Sequence, residues 1–226
     1  MGMRESRTQT SALRQPLDQI LGRETHVRVL RALVQHGDLM SRSQIETATR
    51  MPTRTVNHTL GRLAEAGVLK TAGTSNVRLY TLASAHPLTQ AIRGVFVSEA
   101  ARFRGLVQGI SEVAETQTPY VTAIWLYGSV ARKEDRFDSD LDIVVVVDAS
   151  KTAAVRENVL DELERVGDRF AVSISPIVLT RADIKRVVAD EDPWWQNLRN
   201  EAQTLYGRRP TAFEVEIASQ ASTVRR

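Results

Sequence analysis

Residues 126–147 read Leu-Tyr-Gly-Ser-Val-Ala-Arg-Lys-Glu-Asp-Arg-Phe-Asp-Ser-Asp-Leu-Asp-Ile-Val-Val-Val-Val. One hydrophobic run ends in Gly128-Ser129, a short polar stretch follows, and Asp140 and Asp142 open a second hydrophobic run. Residues two apart in a strand point to the same face, so the two carboxylates stand side by side at the strand's start. Adjacent carboxylates repel unless something positive sits between them. A hard divalent cation with oxygen ligands, Mg2+ or Mn2+, shared with the phosphates of a nucleotide, meets that need. Gly128 lets the backbone come close to a phosphate. Ser129 adds a hydroxyl and an N–H at the start of a short helix, whose N-terminus favours anions. Arg132 lies one helical turn further on, within range of the same phosphates. The plain alternative is a solvated polar loop between two core strands.

Gly128-Ser129, about ten residues, then Asp140-Leu141-Asp142 leading into a hydrophobic strand resembles the nucleotidyltransferase superfamily of polymerase-β-like fold, especially its minimal members. Ala131-Arg132 and Ser139 fit those members too. The resemblance implies that Asp140 and Asp142 are the catalytic, metal-binding pair and that Gly128, Ser129 and Arg132 hold the phosphates of an NTP. It implies transfer of NMP from Mg-NTP to an acceptor hydroxyl, with release of pyrophosphate. The acceptor, a small molecule, a protein side chain or an RNA 3′ end, stays open.

The family usually carries a third carboxylate on the strand after the crossover helix, where it helps hold the metal and activates the acceptor hydroxyl. Here the matching face offers Ser173 and Ser175, and serine is a poor base at neutral pH. Asp148 shares the parity of Asp142 but lies about 20 Å along a straight strand, too far to substitute. Two functions therefore compete: an active nucleotidyltransferase with a regulatory or toxin–antitoxin role, and a catalytically weak or inactive nucleotide-sensing transcriptional regulator. A third, an antitoxin-like repressor whose second domain docks a partner, leaves the aspartate pair unexplained.

At 226 residues the chain is long enough for two modest domains, each with a core. No apolar run approaches the roughly 20 residues that span a bilayer, and Met1 to Gln15 lacks the apolar centre of a signal peptide. The absence of cysteine excludes disulfides, iron–sulfur clusters and thiolate zinc sites, and suits a cytoplasmic location. Charge is uneven: 12 Lys and Arg face 6 Asp and Glu through Ala85, whereas the counts from His86 onward are 18 and 21. A basic first part beside a mildly acidic second part points the first part at a polyanion.

In the first part, Val27, Leu30, Leu33 and Val34 recur at helical spacing over 24–36, and Gly37 ends that helix. Ser41 caps a second helix to Thr49. Pro52 or Thr53 starts a third that runs to about Ala66 with Val56, Leu60 and Leu63 inward. Val68–Lys70 and Val77–Leu82 read as strands joined by a hairpin loop. Three helices and a two-stranded wing over residues 17–85 resemble a winged helix-turn-helix. That resemblance implies binding of double-stranded DNA, with Arg54, Thr55, Asn57 and His58 of the third helix at the base edges. Lys70 and Arg78 flank the wing as phosphate contacts. Use of the same fold for protein contact is the alternative.

Residues 1–16 read as a disordered arm and 86–113 as a connecting helix. Its stripe from Leu88 through Ile92, Val95, Phe96, Ala100, Phe103 and Val107 to Ile110 suits core packing or a homodimer seam. Gly94, Gly105 and Gly109 weaken that helix. Residues 114–207 form the transferase domain. Its strands are expected over Tyr120–Tyr127, Leu141–Val147 and Phe170–Leu179, and its helices over Thr152–Val166, Arg181–Val188 and Trp194–Tyr206. Residues 208–226 form a loose tail. The expected class is α+β: an N-terminal winged helix domain, a connecting helix and a C-terminal mixed sheet with flanking helices.

Overall fold

The computed structural model describes residues 23–74, 77–148 and 152–216; the expected arm, part of the hairpin loop and the last ten residues lie outside that set. The chain is α+β and divides into two compact units between Arg102 and Phe103.

In the first unit, helix α1 (Glu24–His36) ends where Gly37 turns left-handed, its N–H donating to the Leu33 carbonyl at 3.1 Å. A two-residue strand β1 (Met40–Ser41) leads into α2 (Arg42–Thr49). Ser41 and Gln44 form a reciprocal capping box there, with bonds of 3.3 and 2.8 Å that satisfy otherwise orphaned N–H groups. Helix α3 (Thr53–Glu65) follows Pro52, and β2 (Leu69–Gly73) pairs antiparallel with β3 (Arg78–Leu82). β1 joins the far side of β3, giving the order β1-β3-β2. Val29, Leu33, Ile45, Val56, Leu60, Leu63, Leu69 and Leu82 close the core between helices and sheet.

Helix α4 (Thr89–Thr116) begins in the first unit and ends in the second, three residues further along the chain than expected and unbroken at its glycines. In the first unit Phe96 packs on Val27, and Glu99 takes the Arg31 guanidinium through two bonds of 2.7 and 2.9 Å. That ion pair is almost wholly buried, and Arg31 also stacks 5.6 Å above the Phe96 ring. The expected apolar stripe is not uniform, since Leu88 and Val95 are exposed.

The second unit holds a mixed four-stranded sheet in the order β6-β5-β4-β7. Strand β4 (Val121–Leu126) and β5 (Leu141–Val147) are antiparallel and bracket the short helix α5 (Gly128–Arg132). Helix α6 (Thr152–Phe170) crosses over so that β6 (Ile174–Thr180) runs parallel to β5. The third strand thus starts four residues later than the sequence predicts. Phe170 closes α6, and the left-handed Ala171 and the bond from Val172 N–H to the Gly167 carbonyl make the turn. Gly105 and Gly109 mark close approach: a Cβ at Gly105 would stand 2.9 Å from the Phe170 ring, and one at Gly109 3.2 Å from Val166.

Helices α7 (Arg181–Ala189) and α8 (Pro193–Glu201) cover one face of the sheet. The expected helix to Tyr206 is corrected there. Ala202 turns extended after Glu201, and Gln203–Gly207 forms β7 on the free edge of β4. Residues 210–216, read as tail, are helical, and Phe213 packs edge-on to Trp125 at 5.5 Å. Trp125, Trp195, Val144, Val146, Ile184, Leu198 and Phe213 make this face's core, so Trp195 is a packing residue as expected.

Candidate functional site

The alternation of β5 decides where the carboxylates go. Val144 and Val146 point into the Trp125–Trp195 core, so Asp142, of the same parity, stands at the end of that face where the core stops. Asp140 precedes the strand and is exposed, whereas Asp142 is half-buried. Tyr127 donates its backbone N–H to the Asp142 carbonyl at 3.0 Å, which fixes the end of β4 against the start of β5. Gly128 follows at φ +73°, a conformation open to glycine, and its missing side chain leaves room for the Asp142 carboxylate.

Burial first, and then the charge of Asp140, raises the Asp142 pKa above its ordinary value of 3.8, with Arg132 partly opposing them. Burial and the Asp142 charge likewise push the Tyr127 phenol up. Tyr127 packs edge-on against Trp194 at 5.9 Å, which holds the phenol ring in place. Two repelling carboxylates fit a hard divalent cation, because a cation between them offsets the repulsion that helps raise Asp142. Among the described residues no group of three or more His, Asp or Glu gathers as a metal site.

Ser129 lies in the first turn of α5, and its carbonyl accepts the Glu134 N–H at 2.8 Å. Arg132, expected at the phosphates, is held by two carboxylates instead: Glu201 at 2.7 Å and Glu134 at 3.0 Å. These bonds raise its pKa. Ser175 is the direct register partner of Asp142 on the parallel neighbour β6, so both point to the same face. Ser173 lies just before β6, and its carbonyl accepts the Leu141 N–H at 2.8 Å. Both serines are exposed. A groove between α6 and β6 is lined by Leu163, Gly167, Val172, Ser173, Ile174 and Pro176, so Ser173 borders it. Ile174 and Pro176 have the opposite parity to Ser175 and face away from Asp142.

Sequence reasoning missed Tyr127, Trp194 and the carboxylates on Arg132. Adjacency to Gly128 could have found Tyr127, but Glu201 is 69 residues from Arg132 and gave no local signal. In the first unit, Arg54, Asn57 and His58 are exposed on α3 with Thr55 half-buried, and Lys70 and Arg78 are exposed on the hairpin.

Residues 108–206 match the family model described as Polymerase beta, Nucleotidyltransferase. The second unit therefore contains a nucleotidyltransferase-like domain with a mixed sheet and flanking helices. No curated protein matches the chain. Among solved structures, a toxin–antitoxin with AMP-PNP aligns at 16% identity and a TM-score of 0.36, over 53% of this chain and 89% of its own. The toxin–antitoxin MntA–HpeT aligns at 15% identity and a TM-score of 0.37, over the same shares. TrmBL2, an archaeal chromatin protein with a novel mode of DNA binding, aligns at 14% identity and a TM-score of 0.29, over 79% of this chain and 74% of its own. No helix among the described residues is long and apolar enough to cross a membrane.

Proposed function

We propose that the second unit binds a nucleoside triphosphate with Mg2+ or Mn2+ at Asp140 and Asp142 and transfers its NMP to an acceptor hydroxyl. The observation that carries this is the contact of Gly128 with Asp142: a side chain is missing where a half-buried carboxylate needs a cation and a phosphate needs the backbone. In the reaction the acceptor oxygen forms a bond to the α-phosphorus, the bond to the β-phosphate breaks, and pyrophosphate leaves with the charge. A divalent cation there would neutralise the growing charge. Gly128 and Ser129 offer backbone and hydroxyl donors to the phosphates, and Arg132 joins them when released from Glu201.

The first unit is read as a winged helix-turn-helix, with α3 as the recognition helix and β2–β3 as the wing, taking double-stranded DNA. The exposure of Arg54, Asn57, His58, Lys70 and Arg78 supports that assignment. Together the two units make a DNA-binding nucleotidyltransferase with a regulatory or toxin–antitoxin role. A second function, nucleotide sensing without turnover, is favoured by one observation: the register partner of Asp142 is Ser175, which cannot serve as a base.

The test incubates the full chain and its Asp142→Ala variant with each labelled NTP, Mg2+ and cell extract. A labelled acceptor formed by wild type alone supports transfer. Binding of Mg-NTP without any labelled acceptor supports sensing, and no NTP binding at all rejects both.

A further inference from the structure

The first unit carries a cluster of cations that extends past the α3 face and shares only His58 with the residues assigned to that face and the hairpin. Arg23 immediately precedes α1, His26 lies in its first turn, and His58 and Arg62 sit one turn apart on α3. The two helices pack through Val29 and Leu33 on one and Val56, Leu60 and Leu63 on the other, which sets their polar flanks side by side. The charges of Arg23, Arg62 and His58 all act on the His26 imidazole, which is half-buried while the other three side chains are exposed. Among the described residues, few carboxylates are near enough to offset them. Glu24 pairs with Arg28, and Glu65, on an exposed end, lies 3.5 Å from Arg62. On the elements packed against α1, Glu46 pairs with Arg42 and Glu99 with Arg31.

Cations gathered on one flank repel one another, and a polyanion relieves that repulsion. Resting on the DNA-binding function proposed above, we propose that Arg23, His26, His58 and Arg62 form a site for backbone phosphates of double-stranded DNA, at which phosphate binding is coupled to protonation of His26. In the free protein, burial first and then the neighbouring cations hold His26 below its ordinary pKa of 6.5, which favours the neutral imidazole. A phosphate brings negative charge to the cluster and favours the imidazolium. The complex then binds a proton that the free protein lacks, so affinity rises as pH falls. One proton limits the gain to about tenfold per pH unit, between the free and bound pKa values of His26.

The experiment uses the full chain and a short fluorescent duplex of arbitrary sequence, since phosphate contacts are sequence-independent. Affinity is measured from about pH 8 to about pH 6 for wild type, His26→Gln, His58→Gln and Arg62→Ala, with melting curves to confirm folding. Wild type should bind several-fold tighter at the lower pH. His26→Gln should match wild type at the higher pH and lose most of that gain. Arg62→Ala should weaken binding at both and lower the log-salt slope by about one. NMR of the imidazoles should show the His26 pKa rising when duplex is added. DNA binding in which His26→Gln keeps the whole pH gain, or in which the His26 pKa stays put, overturns the phosphate site and leaves the DNA function standing. If the folded wild-type chain binds no duplex at low salt, the DNA function fails and takes this site with it.

Discussion

Gly128 and Asp142 lie so close that no methyl group fits between them: a Cβ on Gly128 would stand 3.1 Å from Cγ and 3.3 Å from Cβ of Asp142, and nearer still to its carboxylate oxygen. The two residues belong to different elements, the first turn of α5 and the start of β5, and the β4–β5 pairing brings them together. A hairpin that ends in glycine on one side thus opens the room in which a carboxylate is held on the other.

Gly128→Ala should therefore act twice. The left-handed backbone costs an alanine about 1–2 kcal/mol, which lowers the melting temperature by a few degrees. The methyl also drives the Asp142 carboxylate out of place. Calorimetry should show Mg-NTP binding weakened at least about tenfold in a chain that is still folded. Unchanged affinity would remove the Gly128–Asp142 contact from the nucleotide site.

The raised pKa of Asp142 gives a pH dependence with a definite sign. Its folded value lies above the unfolded one, so the folded chain binds the proton more tightly and, without metal, this group's contribution to stability falls as pH rises from 3.8 through the folded value. A cation needs the ionised form. Mg2+-dependent NTP binding should strengthen as pH rises through that same interval and then level off. Asp142→Asn should flatten the profile and weaken binding at least about tenfold. A wild-type profile that matches the Asn variant's, in shape and strength, would place the metal elsewhere.

Most of the architecture was legible in the sequence because its signals are local. Ser41 with Gln44, Gly37 after a periodic run, and the alternation after Asp142 each specify structure within a few residues. The misses were long-range. The sequence predicts helix where β7 forms, because Gln203 to Tyr206 has no strong signal of its own and becomes a strand by pairing with β4. β1 is two residues long and exists through Met40–Tyr80 and Ser41–Leu79 pairing. The aspartate pair and the glycine beside it could be read directly. The capture of Arg132 by Glu201 could not, because nothing near either residue marks the other.

The buried Arg31–Glu99 pair predicts a stability effect of the same long-range kind. Both side chains are nearly fully buried, so Glu99→Ala leaves a guanidinium without its main counter-charge. Such a loss costs about 3–5 kcal/mol. Replacing both partners, Arg31→Met with Glu99→Leu, should recover most of it. Denaturant unfolding of the three chains checks this, and a single variant within 1 kcal/mol, roughly, of wild type would show the pair to be energetically idle.

For the DNA-binding function, Arg54 and Lys70 should fail differently. Arg54 projects from the first turn of α3, so Arg54→Ala should weaken binding and relax sequence preference, by about 1–3 kcal/mol at one base pair. Lys70 lies exposed on β2, and Lys70→Ala should weaken all sequences alike and reduce the log-salt slope by about one. Binding of the full chain to its own promoter DNA, measured at several salt concentrations, separates the two. Identical effects of both variants on specificity would take α3 out of the major groove.

Ser175 tests the proposed catalysis most directly. It sits in register with Asp142 on the adjacent parallel strand, about 4.8 Å away across the sheet and on the same face. It is exposed, so the position is open to a larger side chain. Pro176 beside it lacks an N–H, a feature edge strands tolerate. Ser175→Asp should place a third carboxylate beside the pair and raise transfer by about 10²–10⁴-fold, the range of a general base. Ser173→Asp, one step back along the face, should give less, and Ser175→Asn, similar in size but uncharged, should give nothing. Rates of labelled-acceptor formation, with Mg-NTP affinity measured in parallel, check all three. If wild type binds Mg-NTP without turnover and Ser175→Asp turns over, the nucleotide is a signal in the natural protein. If wild type transfers briskly and Ser175→Asp abolishes it, the acceptor loses its proton to another group, and sensing without turnover is dismissed.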